Sequence, residues 1–371
     1  MKKTKPRSIE IRTKAEKVLL VGVTRSSAER WTSINSLEEL ANLTKTAGGE
    51  VIESFLQIRP RFEPATLIGI GKVHELSQIA QKFNIDLIIF NHELSGAQIR
   101  NITNIINKRI IDRTTLILDI FAKHARTREA IHQVELAQLQ YRLSKLIGSG
   151  TALSRLGGGI GTRGPGEKQL EVDRRRINER IATLKRALKK IESTKRVQRT
   201  GRRDLPKIAV VGYTNAGKSS LVNSLTRARL LTSDQLFSTL DSNTSLLFVP
   251  PNHRMLISDT VGFLKDLPHS LIASFRATLA EVLEADLLLQ IVDATCEDVE
   301  SRLATIENVL NEINARDKPS LIVFNKIDRL FPENKIRLAE RYPKAFFVSA
   351  KERTGIEELK LTLRKNFFSR T

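Results

Sequence analysis

Apolar residues recur along this chain in two rhythms. Short continuous runs bounded by polar residues or glycine predict strands buried on both faces, and stretches with apolar positions every three or four residues predict helices. Lys17-Val18-Leu19-Leu20-Val21-Gly22-Val23 is the first strand candidate. Ser36-Leu37-Glu38-Glu39-Leu40-Ala41 has the serine-to-glutamate spacing of a helix start, and Glu50-Val51-Ile52-Glu53 opens another strand. Gly69-Ile70-Gly71-Lys72-Val73 leads into a second helix, and Asp86-Leu87-Ile88-Ile89-Phe90 follows as a buried strand. Residues 17–113 therefore alternate in the manner of an α/β layer. Gly69 and Gly71 lack the third glycine of a dinucleotide-binding turn, and no charged catalytic cluster is legible in this part.

Further along, the rhythm turns purely helical. Leu136, Leu139, Leu143 and Leu146 form one seam, and Ile177, Ile181, Leu184, Leu188 and Ile191 form another. Between them run Gly148-Ser149-Gly150 and then Gly157-Gly158-Gly159-Ile160-Gly161-Thr162-Arg163-Gly164-Pro165-Gly166. The pattern predicts a helical hairpin whose long glycine-rich tip carries Arg155 and Arg163. A loop without side chains lets its backbone approach another backbone closely, so RNA contact is expected there. The second helix is strongly basic: Arg174 to Arg203 holds thirteen Lys/Arg against Glu179 and Glu192 alone. Its charge rides on a rod suited to following phosphates. The seam lacks the Trp or Phe anchors of a membrane-surface helix.

Strand and helix alternation then returns, with strands predicted at Lys207–Val211, Met255–Ser258, Ser320–Phe324 and Ala345–Val348. The first runs into Gly212-Tyr213-Thr214-Asn215-Ala216-Gly217-Lys218-Ser219, the G-x-x-x-x-G-K-[ST] pattern of a phosphate-binding loop. A strand ending in such a turn and opening a helix points several backbone N–H groups at one spot, and the helix N-terminus adds partial positive charge. Lys218 would reach the β- and γ-phosphates, and the Ser219 hydroxyl would ligate Mg²⁺. The second strand ends in Asp259-Thr260-Val261-Gly262. Its carboxylate would hold Mg²⁺ through water, and the Gly262 N–H would sense the γ-phosphate.

The third strand ends in Asn325-Lys326-Ile327-Asp328, whose carboxylate can accept both the N1–H and the exocyclic amine of guanine. Adenine offers no such pair, and a site built on hydrogen bonds rejects the analogue lacking them roughly 10⁴-fold or more. The nucleotide expected is GTP. Ser349-Ala350-Lys351, after the fourth strand, would close over the base edge. Between the first two motifs lies Phe237-Ser238-Thr239-Leu240-Asp241 on a polar loop, where Thr239 would lend its hydroxyl to Mg²⁺ only while the γ-phosphate is present. Lys218, Thr239 and Gly262 are the catalytic candidates, and Ser219 and Thr239 the metal ligands. After Gly262, where many GTPases carry a water-orienting glutamine, this chain has Phe263. Slow intrinsic hydrolysis, accelerated by a partner, is the expectation.

The whole chain constrains the partner. Its 371 residues leave room for about two sizeable cores. The formal net charge of +20 points to a polyanionic partner, nucleic acid first. Cys296 is the sole cysteine, so no internal disulfide forms, and the six histidines show no metal-binding spacing. No 18-residue apolar run appears, and the N-terminus lacks the apolar core of a signal peptide, so a cytoplasmic protein without stable membrane insertion is expected.

The glycine-rich tip through Glu167 resembles the signature of the HflX family of GTPases. So do Asp112-Arg113-Thr114 with Ile117-Leu118-Asp119-Ile120-Phe121, and Gln133-Val134-Glu135-Leu136-Ala137-Gln138-Leu139. The nucleotide motifs follow the same family's pattern, and the resemblance as a whole runs from about residue 15 to 365. The resemblance implies an N-terminal α/β domain over 1–125, a basic hairpin over 126–200 that binds rRNA, and a Ras-like P-loop GTPase domain over 201–371 with a mostly parallel sheet flanked by helices. It implies a protein that binds the large ribosomal subunit and the intact ribosome, is monomeric when free, and splits or rescues stalled or idle ribosomes under stress. The alternative is an RNA-binding assembly factor or checkpoint switch without splitting activity. Lys168 stands where many relatives have threonine, and the chain ends soon after Phe368, where some relatives continue into a further small domain.

Overall fold

The computed structural model describes residues 15–153, 165–200, 205–226, 228, 230, 235–237, 239–265 and 279–368, with the side chains of 147–153, 165–170 and 195–200 outside the description. Residues 154–164, most of the glycine-rich tip with Arg155 and Arg163, lie outside it, as does Ser238. The chain divides into two compact units, residues 1–116 and 117–371.

The first unit is a four-stranded parallel sheet in the order β2-β1-β3-β4. Its elements are β1 (Lys17–Thr24), α1 (Arg30–Ala47), β2 (Glu50–Ile58), α2 (Ile70–Lys82), β3 (Leu87–Phe90), α3 (Gly96–Ile106) and β4 (Arg109–Asp112). Inner strands β1 and β3 are buried along nearly their whole length, as continuous Val/Leu/Ile runs require when helices cover both faces. Leu19, Val21, Ile88 and Phe90 sit in one apolar cluster with Val73, Leu76, Ile102 and Ile106 from the helices.

Helix α1 begins at Arg30, six residues before the serine that the spacing marked as its start. The Ser36 hydroxyl instead accepts from Asn91 Nδ2 (2.9 Å) and Arg113 Nη1 (3.3 Å), so a tertiary network claims it. A reciprocal capping box does form at α3, where Ser95 and Gln98 bond to each other's backbone N–H. Arg113 also pairs with Glu39 at 2.6 Å, with both side chains largely buried. Asp112, fully buried, accepts from the Leu94 N–H. Asp112 and Arg113 are thus structural residues here, fixing the end of the sheet.

Helix α4 spans Arg113–His124. In the second unit, α5 (Arg128–Leu153) and α6 (Pro165–Thr200) pack along the expected seam. Leu136, Ile181 and Leu184 are buried there, with Leu139, Leu143, Ile177 and Leu188 packed against them. The Arg180 guanidinium grips Glu135 through two bonds of 2.7 and 2.8 Å and holds that carboxyl below its ordinary range. Leu146 and Ile191 are half-buried and stand outside this cluster.

The remainder is a six-stranded sheet in the order β10-β9-β8-β5-β7-β6. Its strands are β5 (Lys207–Gly212), β6 (Asn243–Val249), β7 (His253–Asp259), β8 (Leu287–Asp293), β9 (Ser320–Asn325) and β10 (Phe346–Phe347). All pairings are parallel except β6 with β7. Helices α7 (Lys218–Leu225), α8 (Ala280–Glu284), α9 (Val299–Glu312), α10 (Pro332–Arg341) and α11 (Ile356–Phe368) connect them. Two apolar clusters hold the layers: Val210, Leu221, Ile257, Leu289 and Leu359 in one, Val211, Phe263, Leu288, Ile306 and Phe324 in the other. Because β5, β7, β9 and β10 run the same way, their C-terminal loops emerge at one end of the sheet, where open α/β folds bind ligands. Among the described residues, no helix is long and apolar enough to cross a membrane.

Candidate nucleotide site

The loop after β5 turns sharply because two glycines permit it. A Cβ on Gly212 would lie 2.3 Å from the Ile291 carbonyl oxygen on the neighbouring strand. Gly217 has φ +87°, and a Cβ there would lie 2.3 Å from Asn325 Nδ2. That close approach has a purpose. Asn325 Nδ2 donates to the Ala216 carbonyl (2.9 Å), and its Oδ1 accepts from the Ala350 N–H (3.0 Å). One buried amide therefore ties the phosphate loop, the Asn325–Asp328 motif and the Ser349–Lys351 motif into one framework.

A cleft of about 380 Å³ opens among these loops. Thr214, Asn215, Gly217, Lys218 and Ser219 line one wall, and Asn325, Lys326, Asp328, Ala350 and Lys351 line the other. Phe237, Thr239 and Gly262 also reach the cleft, as do Ser220 and Arg329, which the motif spacing left out. Asp328 Oδ1 accepts from Ser349 Oγ at 2.6 Å, and Lys326 Nζ pairs with Asp293 at 2.8 Å. The other motif positions form the floor. Thr260 donates to the Val210 carbonyl, Val261 and Leu240 are buried, and the Ile327 N–H donates to the Val348 carbonyl.

Lys218 is buried, and its Nζ donates to the carbonyls of Gly212 (3.3 Å) and Tyr213 (3.0 Å). Burial pushes its pKa down to about 8, against the pull of Asp259. Burial raises the Asp259 carboxyl in turn, opposed by Lys218 and by the Ser219 and Thr239 hydroxyls. Ser219 Oγ lies 2.6 Å from Asp259 Oδ2 and 2.8 Å from Thr239 Oγ1. Asp259 Oδ1 and Thr214 Oγ1 are buried polar atoms with no hydrogen-bond partner. The Ser219 and Thr239 hydroxyls and the Asp259 carboxylate, whose Oδ1 is unsatisfied, form a hard, oxygen-only donor set. It fits a Mg²⁺ ion that keeps waters and shares phosphate oxygens. Among the described residues no group of three or more His, Cys, Asp or Glu side chains gathers, so an all-protein metal cage has no counterpart here.

The turn after β7 lies against the phosphate loop. The Thr214 N–H donates to the Phe263 carbonyl (2.8 Å) and the Phe263 N–H to the Gly212 carbonyl (2.9 Å), a parallel bridge between Tyr213 and Phe263. The Phe263 ring is 2% exposed and joins the apolar cluster, so it presents no polar atom to a water. Tyr213 is held in turn by the Lys265 N–H, which donates to its hydroxyl, and by the Arg302 guanidinium 3.6 Å above its ring.

Sequence reasoning missed what lies beneath the Phe237–Asp241 loop. Phe121 meets the Phe237 ring edge-on at 4.6 Å, and Thr127 takes both oxygens of Asp241 through its N–H and its hydroxyl. The only signal for Thr127 was its place as a small hydroxyl residue ahead of an acidic helix turn, Arg128-Glu129.

Three family profiles match in tandem: GTP-binding GTPase N-terminal over residues 34–122, GTP-binding GTPase Middle Region over 124–202, and 50S ribosome-binding GTPase over 207–326. A GTPase HflX from Caldanaerobacter subterraneus is 43% identical over 98% of this chain and 83% of its own length. One from Alkalihalophilus pseudofirmus is 49% identical over 85% and 74%, and one from Escherichia coli 41% identical over 88% and 78%. A crystal structure of SsGBP with GDP aligns with TM-score 0.50 and 25% identity, covering 94% of this chain and 98% of that one. With identity of this order spanning nearly the full sequence, and the nucleotide motifs gathered at one end of its second sheet, the chain belongs to the HflX family of GTPases.

Proposed function

We propose that this protein is a GTP-driven factor that binds the large ribosomal subunit in the cytoplasm and splits or rescues stalled or idle ribosomes. One observation carries the reading: a profile described as 50S ribosome-binding GTPase coincides, in one chain, with an exposed cationic rod. Arg174, Arg175 and Arg176 all face solvent on α6, suited to rRNA phosphates.

In this reading Gly212–Ser219 cradle the phosphates and Lys218 neutralises the β- and γ-oxygens. Asp328, steadied by Ser349, reads the guanine edge, and Lys326 and Lys351 flank the base. Ser219 and Thr239 hold Mg²⁺, with Asp259 behind them. The ion, when bound, supplies charge neutralisation across the phosphate oxygens. Phe263 cannot align a water, so intrinsic turnover is on the order of 10⁻⁴ to 10⁻² s⁻¹ and rises only on the ribosome.

Sedimentation of intact ribosomes through sucrose, with the protein and a non-hydrolysable GTP analogue, tests the proposal. Loss of the intact-ribosome peak is the expected result. Unchanged ribosomes with the protein comigrating on the large subunit would make it an assembly or checkpoint factor instead.

A further inference from the structure

The α4–α5 junction meets the loop that carries Thr239 through three side chains. Phe121, fully buried near the end of α4, packs edge-on against Phe237. His124, the last residue of α4, has the Gln235 side chain and the Phe237 backbone beside its imidazole. Phe237 itself is 2% exposed with φ +58°, a conformation that non-glycine residues hold only where their surroundings impose it. Two residues beyond Thr239, both oxygens of Asp241 are bound by Thr127, through its N–H (3.3 Å) and its hydroxyl.

Thr127 has a second task. Its Oγ1 accepts from the Ala130 N–H (3.1 Å), and its carbonyl accepts from the Ile131 N–H (3.0 Å). It is therefore the N-cap of α5, the first leg of the hairpin. One hydroxyl both starts the hairpin helix and anchors the loop that presents Thr239 to Ser219. The Asp241 carboxylate also sits at the positive end of α5, which reinforces the anchor.

We infer that Thr127 and Asp241 are positioning residues for the γ-phosphate contact of Thr239: together they hold Thr239 at Ser219, so the start of the hairpin helix and the γ-phosphate switch share one hydrogen-bonded joint. The inference rests on reading Thr239 as a γ-phosphate-dependent contact. It assigns the joint a role in telling triphosphate from diphosphate, beyond the packing that any buried loop needs. The hydrogen bonds involved include a charged acceptor, so losing them should lower triphosphate affinity by about tenfold.

The test uses the full chain and a fluorescent non-hydrolysable GTP analogue beside the same derivative of GDP, with variants Thr127→Val, Thr127→Ser, Asp241→Ala, the Thr127→Val/Asp241→Ala pair and Thr239→Ala. Thr127→Val and Asp241→Ala should each weaken the analogue about tenfold and leave GDP within twofold. Thr127→Ser should restore wild-type discrimination, and the double variant should be no worse than either single one. Equal weakening of both nucleotides, no weakening, or additive losses would overturn the inference. Thr239→Ala separates the two levels. If it does not discriminate between the nucleotides, the Thr239 assignment falls and the joint with it; if it does while Thr127→Val does not, only the joint falls. Should Thr127→Val fail to fold, Asp241→Ala alone decides, since it leaves the Thr127 hydroxyl in place as the cap of the Ala130 N–H.

Discussion

In the proposed reading, Asp328 distinguishes purines by the donors they offer. Its carboxylate would accept two N–H groups from guanine, while Ser349 fixes one of its oxygens in place. Asp328→Asn exchanges an acceptor for a donor, which suits a base with a carbonyl where guanine has its amine. GTP affinity should fall about hundredfold and xanthosine triphosphate affinity should rise, as read by competition binding. His124 supplies a pH dependence. Burial first, then Arg126 and Lys123, hold its imidazole below the ordinary value of 6.5, against the bonds from Gln235 and Phe237. On acidification the unfolded imidazole therefore takes its proton before the folded one does. The stability linked to neutral His124 is complete above pH 6.5 and is lost as pH falls towards the folded value. Melting temperature should drop more steeply below about pH 6.5 for the wild type than for His124→Gln, by differential scanning fluorimetry.

At the scale of elements, α6 divides its residues by face. Ile177, Ile181 and Leu184 are turned to α5, and the arginines at 174–176 are left to solvent. Replacing those three arginines with Glu should leave the seam intact while weakening RNA binding. The slope of log affinity against log salt should shrink by about 2 to 3, read by filter binding across a salt series. The hairpin helices and strands such as β1 and β3 were legible because their environments are uniform: β3 is buried on every residue, and the hairpin seam repeats at a regular interval, whereas β4, β6 and the inner strand β8 were not singled out. The start of α1 was not legible, because Ser36 is recruited by Asn91 and Arg113, partners far off in sequence. Local spacing records local capping alone, as it does for Ser95 and Gln98.

Across the molecule, the nucleotide motifs could be read in advance because a parallel sheet delivers the ends of its strands to one place. Asn325 closes that convergence physically by bonding to two other motifs at once. What could not be read is the joint between Thr127 and Asp241, which lie 114 residues apart and carry no pattern linking them. Phe263 was legible only in what it lacks; its backbone role emerged with the bridge to Tyr213. That bridge sets an energy scale. Any rearrangement that lifts Phe263 away from Gly212 and Thr214 must exchange two backbone hydrogen bonds, roughly 1 to 3 kcal/mol in all. The same range separates signalling proteins whose ligand-bound and ligand-free forms differ five- to 150-fold in affinity for a second ligand. In the proposed reading, a two-rung zipper at the base of the cleft would be stiff enough to hold two conformations apart, and weak enough for a single terminal phosphate to tip the balance.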